Sequence, residues 1–229
     1  MQKKSNYIHK RKYELLLLAL IQHLFIGVFL TDMAFYTKVV WPINMIILGV
    51  VSTGVFIEKG RWKNWIKNIL TIGAVVFPLC VPFLGSNPIF MFTLNLSLAV
   101  FYLFIFIEVL QFLMKPSYIN RDIITASACG YFLLIETSVF IFQIFYYENP
   151  NSFKGISTTF SVANSANIFM DLVYFCTITI TSIGFGDITP NTHFTKLITS
   201  FLGVVGQFYS VVLVGILIGK FTSSNSNNQ

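Results

Sequence analysis

The sequence predicts an all-α, polytopic membrane protein with six crossing helices, one shorter re-entrant helix and a glycine-containing loop after it. Three observations predict this. The chain is 55% hydrophobic and 17% aromatic with only 10% charged residues, whereas soluble domains carry about 25% charge. Six predominantly apolar windows reach the length of about 18 residues that a bilayer crossing needs. A seventh apolar run, Ile168 to Ile180, is too short to cross about 30 Å of hydrocarbon at 1.5 Å per residue, and it leads into Thr-Ser-Ile-Gly-Phe-Gly-Asp.

Taken in order, the crossing windows run from Tyr13 to Thr31, Val39 to Ile57, Trp65 to Leu84, Ile89 to Met114, Ile123 to Tyr147 and Thr195 to Gly219. The basic residues before Leu15 imitate a secretory signal, but the apolar run is too long for one and no small-residue cleavage site follows, so the first window is expected to be retained. Gln22 and His23 interrupt it. A polar group at that depth is costly and is a functional candidate by default; the competing expectation is a neutral imidazole bonded to a neighbouring helix. Pro42 is placed in the first turn of the second span, where a missing N–H is tolerated. Trp62 and Trp65, among Arg61, Lys63 and Asn64, suit an interfacial anchor. Pro78 and Pro82 are expected to kink or end the third span.

Pro88 to Met114, the fourth span, contains no Lys or Arg. A helix that moves through the membrane field needs charge, worth about 2.3 kcal/mol per charge per 100 mV, so the usual voltage response has no handle here. Glu108, two turns from Lys115, is expected to snorkel in a structural role. Glu136, near the middle of the fifth span, must be protonated, paired or wet, and is a candidate gating acid. Glu148 to Asn167 reads as an exposed irregular loop. Asp171 is expected in the first turn of the short helix, as a cap favoured by the helix dipole.

Charge sets the orientation. Lys3, Lys4, Lys10, Arg11, Lys12, Lys59, Arg61, Lys63, Lys67, Lys115, Arg121 and Lys220 fall on one side and only Lys38, Lys154 and Lys196 on the other. The positive-inside rule then makes the protein a multi-pass component of the cell (inner, cytoplasmic) membrane with both termini cytoplasmic. The net charge of +6 follows from this topology, and nucleic acid is excluded as a partner because no basic patch is interleaved with exposed aromatics. Cys80, Cys129 and Cys176 are scattered through apolar segments and suggest packing, not disulfides or a metal site. No nucleophile–base set, metal cluster or phosphate loop supports an enzyme, and no cofactor is expected.

Gly184 and Gly186 can adopt positive φ at little cost, so the loop's backbone carbonyls can be presented along one line. Ser182-Ile183-Gly184-Phe185-Gly186-Asp187 resembles the selectivity filter of potassium channels. Asp171-Leu172-Val173-Tyr174-Phe175 is similar to the opening of prokaryotic pore helices, and the resemblance continues through Ile188-Thr189-Pro190 and Gly206-Gln207-Phe208-Tyr209. It covers the chain from about Asp122 onward. It implies a six-transmembrane subunit of three parts: a four-helix module of unknown role (1–121), a pore domain (122–221) and a short polar tail (222–229).

On this resemblance, carbonyls of Ser182, Ile183, Gly184 and Phe185, at a site closed by Gly186, replace the water of a dehydrated K⁺. Thr181, Tyr174, Phe175 and Asp187 support the filter. Gly206 marks the hinge position, Gln207 and Ser210 face the cavity, and 217–221 forms the inner gate. One filter strand per chain implies a homotetramer in membrane lipid, with no cytosolic ligand domain. Ser182 for Thr and Phe185 for Tyr resemble the filter of ether-à-go-go-related channels and lead to the expectation of a weakly braced filter, prone to close under sustained flux. A weakly selective cation channel is the alternative, and a potassium transporter subunit is less consistent with a chain lacking inverted repeats.

Overall fold

A computed structural model describes residues 11–55, 61–114, 121–159 and 164–226; side chains are described for these except 61–64, 214 and 216–226. Lys3, Lys4, Lys10, Lys59 and Lys115 lie outside the described residues, as do the side chains of the inner-gate segment 217–221.

Six helical stretches among the described residues are long and apolar enough to cross a membrane. Helix α1 (Lys12–Phe25) tightens into a 3-10 turn, Ile26–Phe29. Asp32 then caps the next span, accepting from the backbone N–H groups of Ala34 and Phe35 at 3.0 Å each, so the span begins six residues earlier than its apolar run suggests. It opens as α2 (Met33–Phe35), widens into a π turn, Tyr36–Val40, and continues as α3 (Trp41–Thr53).

Pro42 is therefore inside a continuous span and not in its first turn. Its ring has no N–H to give the Lys38 carbonyl and would clash with it in a regular α-helix. The π turn resolves the conflict by bonding the Trp41 N–H to the Tyr36 carbonyl, five residues back.

Helix α4 (Arg61–Leu84) runs through both Pro78 and Pro82; neither ends it, and the chain turns only at Gly85, whose N–H bonds Val81 O at 2.8 Å. Asn87 caps α5 (Pro88–Met114), accepting from the Ile89 N–H at 2.9 Å, with Pro88 at the position where its missing donor costs nothing.

Helix α6 (Arg121–Glu148) is the hub. Of its membrane-length window 67% is buried, against 17% for those of α4 and α8, so α6 sits between the other helices while those two lie outermost. Stacked rings of Tyr102 on α5 and Phe140 on α6, 5.5 Å apart and 10° from parallel, hold one face. Leu16, Leu20 and Leu24 of α1 are buried in the same core as Ile123, Leu133 and Phe140. Two serine hydroxyls of α6 are satisfied within the helix: Ser127 donates to Ile123 O and Ser138 to Leu134 O, each at 2.7 Å. Arg121 Nε lies 3.0 Å from Glu14 Oε1, which puts the starts of α1 and α6 at the same end of the bundle. Glu108 does not snorkel: it is 5% exposed, because its face of α5 is turned inward toward Tyr13.

After α6 the described part of the expected irregular loop, residues 155–159, carries no helix or strand, but two short regular pieces precede it. Asn149 caps a 3-10 turn, Pro150–Ser152, and β1 (Phe153–Lys154) pairs antiparallel with β2 (Thr189–Pro190), Phe153 opposite Pro190. Between them lies the re-entrant α7 (Ser165–Ile180), and α8 (His193–Ser226) ends the described chain. The expected tail at 222–229 is thus helical through Ser226. Thr192 and Thr195 cap α8 reciprocally, each hydroxyl accepting from the other's backbone N–H, at 3.1 and 3.2 Å.

Candidate functional site

The loop after α7 begins with a defined helix stop. The Ser182 N–H bonds Thr179 O at 3.1 Å and the Ile183 N–H bonds Ile178 O at 2.8 Å, while Ser182 has φ of 59°. This is the Schellman arrangement, two crossed bonds around one left-handed residue, a position usually held by glycine. Serine holds it here at a cost of roughly 1–2 kcal/mol. What Ser182 offers in return is a hydroxyl, which accepts from Gln207 Nε2 on α8. Thr181, the C-cap residue, turns its own hydroxyl back to Thr177 O at 2.7 Å.

Gly184 and Gly186 also have positive φ, 57° and 82°. No atom of the chain lies within 4 Å of where their Cβ atoms would be, so glycine is required by the backbone turn and not by crowding. Ile183 and Phe185, 57% and 71% exposed, carry the alternate side chains on an open surface. Asp187 closes the loop: it accepts from the Tyr174 hydroxyl at 2.7 Å, and the Tyr174 and Phe185 rings lie nearly parallel, 5° apart in plane, with centroids 6.5 Å apart. This bond holds the Asp187 carboxyl below its ordinary value by favouring the charged form.

The loop is fixed on two further sides. The β1–β2 pair ties its outer end to the turn after α6, helped by the Asn191 N–H on Ser152 O at 2.8 Å and by Thr195 Oγ1 on the same carbonyl at 3.1 Å. Gly155, with φ of 88°, lies so close to the Asp187 carbonyl that a Cβ there would collide with it. On the inner side, α8 presses on the end of α7 at Gly206, where a Cβ would fall 2.8 Å from Ile180 Cγ2 and 3.1 Å from Ile180 O. The helix passes Gly206 without a break, and close approach alone already requires glycine.

The expected site residues divide accordingly. Ser182, Gln207, Ser200, Gly203 and Val204 line one open concavity. Ser210 does not: it lies on the flank of α8 beside Tyr131, half-buried, with its hydroxyl spent on Gly206 O at 3.0 Å. Phe175 is on the far side of α7 from the loop, in a three-ring cluster with Phe142 and Phe153 at 5.4 and 5.6 Å; it braces the helix, not the filter. Asp171 is not in the first turn of α7, which holds no acidic residue; the helix starts six residues earlier because Asn164 anchors it, donating to Ser157 Oγ and Thr159 O at 3.0 and 2.9 Å.

Glu136 and His23 meet. Nε2 of His23 lies 3.1 Å from Oε1 of Glu136, both side chains fully buried. The sequence singles out Tyr174, Asp187, His23 and Glu136 one at a time, but nothing in it pairs Tyr174 with Asp187 or His23 with Glu136.

Fold and loop together describe an all-α polytopic membrane protein, and the comparisons find it similar to channels. Residues 132–223 match the family model described as an ion channel. The chain is 40% identical over 57 residues to two-pore potassium channel 3 of Arabidopsis thaliana, covering 24% of this chain and 13% of that protein. It is 31% identical over 104 residues to two-pore potassium channel 5 of the same plant, covering 45% and 22%. Residues 132–223 are thus similar to an ion channel family, and parts of the chain are similar to potassium channels of a plant. The matches span less than a quarter of these relatives' own length, and no solved structure matches the chain.

Proposed function

We propose that the chain is one subunit of a homotetrameric channel that conducts K⁺ passively, without chemistry, through a filter made by Ser182, Ile183, Gly184 and Phe185. The observation that carries this reading is the Ser182–Gln207 contact on an open concavity of a membrane-length helix. Hydroxyl and amide groups at that depth are tolerated where they line water or other protein, not lipid.

A second observation favours further copies of the chain as the neighbours. Phe194, Leu197, Phe201, Val204, Phe208 and Val211 are each at least 66% exposed and recur every three or four residues on one face of α8, the pattern of a helix-packing seam. Val204, Phe208 and Val211 of the stripe border the same concavity as Ser182, so copies packed around it bring their loops to a common axis. Within such an assembly, loop carbonyls replace the hydration shell of K⁺, the permeant ion, and lipid meets exposed apolar residues of α4 such as Ile72 and Leu79. By the positive-inside rule Arg11, Lys12 and Arg121 favour a cytoplasmic location for the α1–α6 starting end. A fourth span without Lys or Arg leaves no conventional voltage sensor.

Purified protein in liposomes tests the reading through reversal potentials in opposed K⁺ and Na⁺ solutions. A potential close to the K⁺ equilibrium value is expected, with native mass spectrometry giving four copies. A potential near zero makes the pore a weakly selective cation channel, and a monomer overturns the assembly.

A further inference from the structure

Neither conduction nor the filter uses the His23–Glu136 pair, yet it joins the first helix of the accessory module to the central helix of the pore module. Both side chains are 0% exposed. None of the four polar atoms, His23 Nδ1 and Nε2 and Glu136 Oε1 and Oε2, makes an aligned hydrogen bond among the described residues, so the 3.1 Å approach of Nε2 to Oε1 is an acid–base contact. The surroundings come from every element packed there. Tyr36 from the π turn, Tyr102 from α5 and Cys176 from α7 face Glu136, and the rings of Phe169 and Trp41 lie 5.1 and 6.3 Å from His23. Phenols and thiols ordinarily ionise above pH 8, so His23 and Glu136 are the acid–base pair of this cluster.

We propose that His23 and Glu136 hold a single proton between them and that this buried proton-binding site locks the four-helix module onto the pore domain. The charge count requires it. With one proton the pair is neutral overall, whether written as imidazole with carboxylic acid or as imidazolium with carboxylate. With none it leaves a buried carboxylate, and with two a buried cation, and either lone charge is expensive without water or a second partner. Since Phe169 and Cys176 belong to α7, a change at the pair reaches the helix that carries the filter. That last link rests on the conduction proposed above; the proton site itself does not.

The test is the melting temperature of the full chain in lipid nanodiscs from pH 5 to 9, with K⁺ flux from liposomes in parallel. Wild type is expected to be flat up to about pH 6.5 and to lose melting temperature above it, because the unfolded chain gives up its imidazole proton there while the folded pair keeps one. In E136Q the imidazole stands alone, is protonated more readily in the unfolded chain than in the folded one, and the melting temperature falls on acidification. In H23Q the carboxyl stands alone, ionises more readily in the unfolded chain, and the melting temperature falls on alkalinisation. The double variant H23Q/E136Q has nothing to charge and is expected to fold and to be flat. Opposite slopes for the two single variants establish the shared proton. Single variants that both follow the wild-type profile, or a double variant that does not fold, overturn it. Flux lost at every pH with the opposite slopes intact counts against conduction and leaves the proton site standing.

Discussion

The Tyr174 hydroxyl donates to Asp187 Oδ2 at 2.7 Å, joining the middle of the re-entrant helix to the residue that ends the glycine loop. Phe185 has no hydroxyl for such a tie, so the brace is supplied from behind, by a phenol on α7. Removing it with Tyr174→Phe is expected to speed the decay of current under sustained K⁺ flux several-fold, while Phe185→Tyr slows decay by adding a second donor. Both are read from macroscopic current decay in planar bilayers.

The same bond has a pH signature. Asp187 is held below its ordinary value by the Tyr174 donor, so its contribution is present above the unfolded value of about 3.9 and is lost as pH falls through the lower folded value. Faster decay is expected only when the outer solution is taken below about pH 4. Tyr174→Phe shows the fast decay at neutral pH already.

Ser182 separates backbone from side chain. Ser182→Gly relieves the left-handed backbone, a gain of about 1 kcal/mol, but deletes the hydroxyl that Gln207 bonds. Ser182→Ala keeps the backbone cost and deletes the same hydroxyl. Thermal unfolding is expected to place the glycine variant above the alanine variant, and ion selectivity is expected to fall in both.

At Gly206 the added methyl of Gly206→Ala meets Ile180 Cγ2 and its carbonyl, and overpacking of this kind costs about 1–3 kcal/mol. The combination Gly206→Ala with Ile180→Ala is expected to recover part of the loss, since the side-chain clash is removed and the carbonyl contact is not. A double-mutant cycle by thermal unfolding measures the coupling.

Gly155→Ala combines a φ of 88° with a collision at the Asp187 carbonyl. It is expected to destabilise the β1–β2 clamp by more than about 1 kcal/mol. Hydrogen exchange at Asn191, whose N–H bonds Ser152 O, is expected to rise in the variant.

The membrane architecture is legible in the sequence because bilayer thickness imposes length and composition directly, as in the long, predominantly apolar run of α5. The glycine loop is legible because few backbones need Gly184, Gly186 and an acid in that spacing. Span starts are not: Asp32 begins the second span by capping, although Met33 to Lys38 is less apolar than Val39 to Val51. Pattern alone misplaces Pro42 because a proline's effect depends on whether the neighbouring turn can widen to accept it. The facing of Ser210 and Phe175 is hidden since the rotation of a helix about its own axis is decided by which neighbour packs where. His23 with Glu136 needs the long-range approach of α1 to α6, to which no local pattern points.

The widened turn at Tyr36–Val40 leaves the two halves of the second span independently phased. Tyr36 and Thr37 are buried by one set of neighbours, while Asn44, beyond the turn, receives the Gln22 amide at 3.1 Å. The extra residue acts as a slipped tooth between two gears: deleting one residue there and replacing Pro42 would give a regular helix in which only one half can keep its present mesh.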